Sequence, residues 1–415
     1  MWEFNYGEWT EAYVFLSLLG EGKIYGANEL FQKDPNVYLN ILEILRHEKD
    51  LTLKFERMIE VEKVNVYKDD DFWKTLSYTE LKQQSHFLYT AIKNITSSER
   101  KFPVPESEEY LSSIGFSQPK VPKLPQNVAE EFGKKTDIII TLEDSIDHAR
   151  STVGFSIKSH LGSKSSLFNS APASNLIYEI SGCTDEIMNK INGELIDSEI
   201  DIFKYIRDNN DLSLIFRGTS DQFATNLDLV DPRMPIMFST IMLTQLRYQN
   251  EVKAKSRKTC DVVNVLEQID PVNAIRPDLL YKAKIKEFLY DSFAGLTATE
   301  LWDGRKRLSG GYIDVNKDGE MLYFRAVSDD IFTSYLYDHT HFDRPSRGVN
   351  KDIAKVIAKA RLSGREATEE EIKAVSVKIN KKGKEERKAI KGDWGYVYKN
   401  DNRFFINVNF QIRFQ

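Results

Sequence analysis

What most limits the fold of this chain is a pair of short strand-forming runs, Ile138-Ile139-Ile140 and Gly154-Phe155-Ser156-Ile157-Lys158-Ser159, separated by a polar turn. Runs of this length, rich in Ile and Phe and bounded by turn residues, pair as an antiparallel hairpin. Asp137 opens the first run and Lys158 stands near the end of the second, so pairing the runs brings a carboxylate and an ammonium together. Ser156 shares the strand face of Lys158 because side chains alternate. A carboxylate suits a hard divalent ion such as Mg²⁺, which keeps waters able to act as nucleophiles. A fixed lysine stabilises negative charge growing on a phosphate. The hairpin is therefore a candidate metal-and-lysine site. The same residues also fit an exposed lysine beside an unrelated acid, since charged side chains mostly lie on solvated faces.

A chain of 415 residues forms two to three domains or one large elaborated domain. Its 41% hydrophobic, 29% charged and 12% aromatic content is that of a globular protein and excludes wholesale disorder. No apolar run reaches membrane-spanning length, and Met1-Trp2-Glu3-Phe4 is unlike a signal peptide, so a cytoplasmic location is expected. Cys183 and Cys260 lack metal-ligand spacing and suit a reducing compartment. A net charge of −6 decides nothing about nucleic acid, because an average conceals a basic face.

Tyr6 to Gly20 reads as an amphipathic helix carrying Trp9, Ala12, Tyr13, Leu16 and Leu19 on one face, with Gly20 placed to end it. Glu8 and Glu11 share one side of it near the N-terminus, where acids compensate the helix dipole; alternatively Glu11 leans into the metal site. One or two strands are expected from Leu51 to Tyr67 and a helix from Thr79 to Asn94. Lys101 to Gln126, with five prolines, reads as an extended connector. Helices are expected at Ser174 to Asn192, Asp197 to Asn209, Met234 to Lys253 and Asp278 to Gly295, and a short strand at Ser213 to Phe216. Asp318-Gly319 marks a tight hairpin between Gly310–Val315 and Glu320–Phe324. Thr368 caps a helix beginning with Glu369 to Glu371, inside a Lys-rich stretch, and the chain closes on aromatic strands.

Several stretches, taken in order, resemble the HpaII-type family of type II restriction endonucleases. They are Gly7-Glu8-Trp9-Thr10-Glu11-Ala12-Tyr13, Asp137-Ile138, Phe155 through Ser163, Leu167-Phe168-Asn169-Ser170 and Ser174-Asn175. Trp302-Asp303-Gly304, Gly310-Gly311-Tyr312 and Asn409-Phe410-Gln411-Ile412-Arg413-Phe414 follow. The resemblance implies an α/β protein with a PD-(D/E)XK restriction-endonuclease-like core, a mixed sheet flanked by helices, and added helical and β-rich DNA-recognition regions. It implies three regions: 1–100 contributing a helix to the active site, 101–260 as nuclease core, and 261–415 for DNA recognition with a Lys-rich insertion at 351–391.

The implied activity is Mg²⁺-dependent cleavage of double-stranded DNA at a short palindromic site by a homodimer, with a cognate DNA methyltransferase as functional partner and no membrane association. The implied catalytic set is Asp137, Ser156, Lys158 and Glu11. Ser156 stands where the family of folds normally has an acid, so a further carboxylate is recruited, Glu11 or Glu179, to complete the metal site with Asp137. For DNA contacts the resemblance and the residue chemistry name Ser163, Asn169 and Asn175 in a loop, Arg344 and Arg347 as forks able to read guanine, and Lys381 and Lys382 along the backbone. The rival reading that Ser156 keeps open is a DNA-binding subunit that is silent alone or needs a partner chain. An RNA-processing nuclease on the same fold is a third.

Overall fold

The computed structural model describes residues 1–28, 32–95, 101–133, 135–162, 166–248, 254–304, 310–325, 329–379, 385–387 and 392–414. The chain divides into two compact units, Met1–Ser165 with Arg305–Tyr335, and Ser166–Gly304 with Leu336–Gln415. Both are mixed α and β, with thirteen α-helices among the described residues.

The first unit is built on α1 (Tyr6–Glu21), whose N-terminus is fixed by a capping box. The Asn5 side chain accepts from the Glu8 N–H, and the Glu8 carboxylate accepts from the Asn5 N–H. The helix ends at Gly22, in the left-handed region at φ 75°, two residues beyond the expected stop. It is also not amphipathic as expected. From Trp9 to Gly20 every residue is buried except the half-buried Glu11, which is the only charged residue in that span. A helix apolar on all sides is surrounded by protein, and a single charge within it has a purpose to be explained.

After α1 come β1 (Lys23–Ala27), β2 (Lys33–His47), β3 (Thr52–Met58), β4 (Lys63–Lys68), β5 (Asp71–Ser77) and α2 (Tyr78–Lys93). They are followed by α3 (Pro105–Ser113), α4 (Gln126–Phe132), β6 (Ile138–Asp144) and β7 (Arg150–Ser159). The connector expected at 101–126 thus contains a helix, because Pro105 takes the first helical position, where a missing N–H costs nothing.

The chain returns to this unit as the hairpin Gly311–Val315 and Met321–Arg325. Gly311–Val315 pairs with β7 in parallel and Met321–Arg325 pairs with β1 in parallel; the remaining pairs are antiparallel. The fifteen-residue β2 gives one edge to β6 and divides the other between β1 and β3. The β1–β2 pairing closes six strands into a mixed, barrel-like ring, and β3, β4 and β5 extend from it as a meander. The expected mixed sheet with helices is present; its closure on itself had no local signal.

In the second unit, Leu176–Ser181 lies between Ser213–Gly218 and Arg403–Val408, with Val397–Asn400 at the edge, in one antiparallel sheet. Ser166–Phe168, Gln411–Phe414 and Thr340–Asp343 form a second. The helix expected over Ser174 to Asn192 is therefore a strand followed by a short helix, Asp185–Lys190. Leu176, Tyr178 and Ile180 alternate inward, Gly182 breaks the strand at φ 80°, and Thr184 caps the helix. Phe168, Phe238, Phe342 and Phe410 pack together in its core. Thr368 forms the expected capping box with Glu371. Among the described residues no helix is long and apolar enough to cross a membrane.

Candidate active site

Pairing of β6 with β7 places Ile138 opposite Phe155 and Ile139 opposite Gly154. The Asp137 N–H donates to the Phe155 carbonyl at 2.8 Å, which sets its side chain beside Ser156. Gly154 is required there: a Cβ would lie 2.6 Å from Thr136 Oγ1 and 3.0 Å from the Phe132 carbonyl, wedging apart the chain that leads into Asp137. The Ser156 hydroxyl donates to Asp137 Oδ2 at 3.0 Å and the Ile157 N–H donates to the same oxygen at 2.7 Å. Among the described residues no donor takes Oδ1.

Glu11 projects from α1 toward this carboxylate and mirrors it. Its Oε2 accepts the Val121 N–H at 2.8 Å, and no described donor takes Oε1. Burial, and then the neighbouring Asp137 carboxylate, push Glu11 well above the usual carboxyl range, against the Val121 N–H and the Arg46 guanidinium. Burial also raises Asp137; the Lys158 ammonium, the Ile157 N–H and the Ser156 hydroxyl offset part of that. Lys158, on the Ser156 face of β7, has Asp137 as its electrostatic partner and forms no ion pair within 4.0 Å among the described residues.

Glu8 behaves differently. It accepts from the Asn5 N–H at 3.0 Å and from Lys120 Nζ at 2.7 Å, and although burial pushes it up, these partners hold it below the usual range. The helix-capping role of a first-turn acid thus belongs to Glu8, which leaves Glu11 for the site.

One contributor was not read from the sequence. Arg46, on β2, is buried, with Nε on Glu48 at 2.6 Å and Nη2 on the Gln118 and Lys120 carbonyls at 2.8 and 2.7 Å. It pins the segment whose next residue, Val121, grips Glu11. Its signal was its place two residues after Ile44, on the same face of the strand.

The site thus gathers Asp137, Ser156, Lys158 and Glu11 in the first unit. Glu179 lies in the second, on a strand rather than a helix, its carboxylate taken by Arg217 at 2.9 Å and Arg403 at 3.2 Å. Arg344 pairs with Glu199 at 3.3 Å, and Arg347 donates to the Ile196 and Asp197 carbonyls. Asn175 is buried, bonded to Asn409 and to the Asp393 carbonyl, whereas Asn169 is exposed. Ser163, Lys381 and Lys382 lie outside the described residues.

Two carboxylates that face each other, each with one oxygen fixed by a backbone N–H and one untaken, form a hard-oxygen donor set that fits Mg²⁺. That ion is typically held by one or two carboxylates, with water and substrate phosphate completing the shell. Among the described residues no group of three or more His, Cys, Asp or Glu side chains that could hold a metal ion is present.

The family model of the HpaII restriction endonuclease matches residues 5–352. The type II restriction enzyme HpaII of Haemophilus parainfluenzae is 27% identical over 413 residues, covering 99% of this chain and 98% of that protein. No solved structure matches the chain.

Proposed function

Because this chain belongs to the HpaII restriction endonuclease family, we propose that its first unit cuts both strands of duplex DNA at a short specific sequence, with Mg²⁺, on a PD-(D/E)XK-type strand pair. The observation that carries this reading is the pair Glu11 and Asp137, two half-satisfied carboxylates beside a lysine that forms no ion pair among the described residues. Asp137 and Glu11 are the residues that would hold the ion; Glu179 is already between two arginines. When bound, Mg²⁺ supplies positive charge at the phosphate and a water of lowered pKa.

The chain's own residues do the rest. Ser156 and the Ile157 N–H lock Asp137 in one orientation through Oδ2, and the ligation that an acid at position 156 would give falls to Glu11. Val121, held by Arg46, does the same for Glu11. Lys158 presents its ammonium to the charge that accumulates on the phosphate oxygens as the phosphodiester breaks, in a position set before substrate arrives. A palindromic site is matched by a two-fold dimer, and a DNA methyltransferase of the same specificity completes the system as a functional partner.

Ser156 also supports a second reading, a recognition subunit that binds its sequence but does not cut alone. One digest separates the two. Wild-type protein and Lys158→Ala are incubated with unmethylated phage-length duplex DNA, with and without Mg²⁺. Discrete Mg²⁺-dependent fragments from the wild type only are expected, and their ends give the recognised sequence. Intact DNA in all lanes with binding retained selects the second reading.

A further inference from the structure

The parallel register of β7 with Gly311–Val315 sets Ser156 beside Tyr312 and Lys158 beside Asp314. Register partners share a sheet face, so a carboxylate stands next to the lysine that the proposed chemistry requires. A buried carboxylate one strand away is close enough to draw such an ammonium toward it. Here it does not: no ion pair joins them. Asp314 is engaged by other donors. His160 Nε2 lies 2.8 Å from its Oδ1, the Tyr312 hydroxyl donates to that same oxygen, and Tyr335 is hydrogen-bonded to Asp314 as well. His160 is placed for this by its own backbone, whose N–H donates to the Val315 carbonyl at 2.8 Å beyond the end of β7. Only about a sixth of its side chain is exposed, at 16%.

We propose that His160, Tyr312 and Tyr335 keep Asp314 occupied, so that Lys158 is neither captured nor turned away from the phosphate. His160 and Asp314 are then positioning residues of the cleavage site. The inference rests on the reading that Lys158 serves the reaction, and it adds a reason for a His-Asp pair beside a lysine on one sheet face. Removing a donor from Asp314 opens a lone pair to the ammonium, and a charge-assisted contact of that kind is worth about tenfold in rate when it withdraws a working group.

The test uses a duplex oligonucleotide carrying the site read from the wild-type digest, with Mg²⁺, under single-turnover conditions. His160→Ala is expected to slow cleavage about tenfold with DNA affinity unchanged. His160→Ala combined with Asp314→Asn is expected to regain most of the loss, because the competing carboxylate is gone; a merely structural role gives no such rescue. Thermal melts establish that each variant is folded. If the double variant does not fold, His160→Gln decides, since its amide still donates to Asp314 and should cleave near the wild-type rate. A wild-type rate for His160→Ala, a folded double variant no faster than His160→Ala, or His160→Gln as slow as His160→Ala overturns the proposal. Lys158→Ala is run alongside: if it cleaves normally the site reading itself fails, and if it is dead while the His160 results go against expectation only this inference fails.

Discussion

Glu11 with Asp137 in the first unit, and Glu199 with Arg344 and Arg347 in the second, are both charge drawn away from water, yet their surroundings are opposite in kind. Burial raises Glu199, and Arg344, Arg347, Lys351 and Arg257 then supply positive charge against it. The arginines are equally accounted for, Arg344 on Glu199 and Arg347 on the carbonyls of Ile196 and Asp197. In the first unit the largest charge acting on the raised Glu11 is the Asp137 carboxylate, and each keeps an oxygen that no described residue fills. Carboxyls raised by burial and by each other mark functional sites more than structural ones, so the contrast supports the reading proposed for the first-unit pair.

The largest expected effect attacks the unfilled cluster. Asp137→Ala should lower single-turnover cleavage by about a thousandfold or more while DNA binding, followed by fluorescence anisotropy, stays within a few-fold; normal cutting would erase the distinction. The filled cluster should answer in stability. Arg344→Ala strands the partly buried Glu199 and should cost about 2 kcal/mol, somewhat less than a fully buried pair, seen as a lower urea midpoint. An unchanged midpoint would mean that this pair is ornamental.

Glu11→Gln sharpens the comparison through pH. The folded-state pKa of Glu11 lies above its ordinary 4.5, so its favourable contribution is complete below that value and is lost as pH rises through the folded pKa. Gln escapes the loss. Without metal, Glu11→Gln should therefore melt a few degrees above wild type at pH 8, with the gap closing toward pH 4, while its cleavage is abolished. A melting point lowered at pH 8 would contradict the deficit. The smallest effect belongs to the cap: Asn5→Ala should cost about 1 kcal/mol, measured by denaturation, with cleavage changed only a few-fold. A loss of cleavage as deep as that of Asp137→Ala would show that the capping and catalytic ends of α1 are not separable.

The β6–β7 hairpin, the helix at Tyr6, the 311–325 hairpin and the Thr368 cap were legible because each is written in neighbouring residues: alternation, a cap, an Asp-Gly turn. Glu11 stood out in the sequence as one of two acids, with Glu8, on one side of the first helix and as a residue the family resemblance names. The ring was not, because β1 finds Met321–Arg325 across most of the chain and pairing at that range leaves no local pattern. Leu176–Ser181 was mistaken for helix since short apolar runs fit both periods, and burial against Arg403–Val408 decided the matter. Arg46, Val121 and the His160–Asp314 pair join through backbone carbonyls, a backbone N–H and interstrand register, which side-chain identity does not announce.

The central claim, that Glu11 and Asp137 act as one cation-holding pair, is tested most directly by a double-mutant cycle. Mg²⁺ is titrated into wild type, Glu11→Gln, Asp137→Asn and the double variant while single-turnover cleavage of the site-bearing duplex is followed. If the pair works as a unit, each single variant loses nearly all activity and the double variant is no worse than either. A Glu11→Gln enzyme that cuts at the wild-type rate with the wild-type Mg²⁺ dependence would contradict it.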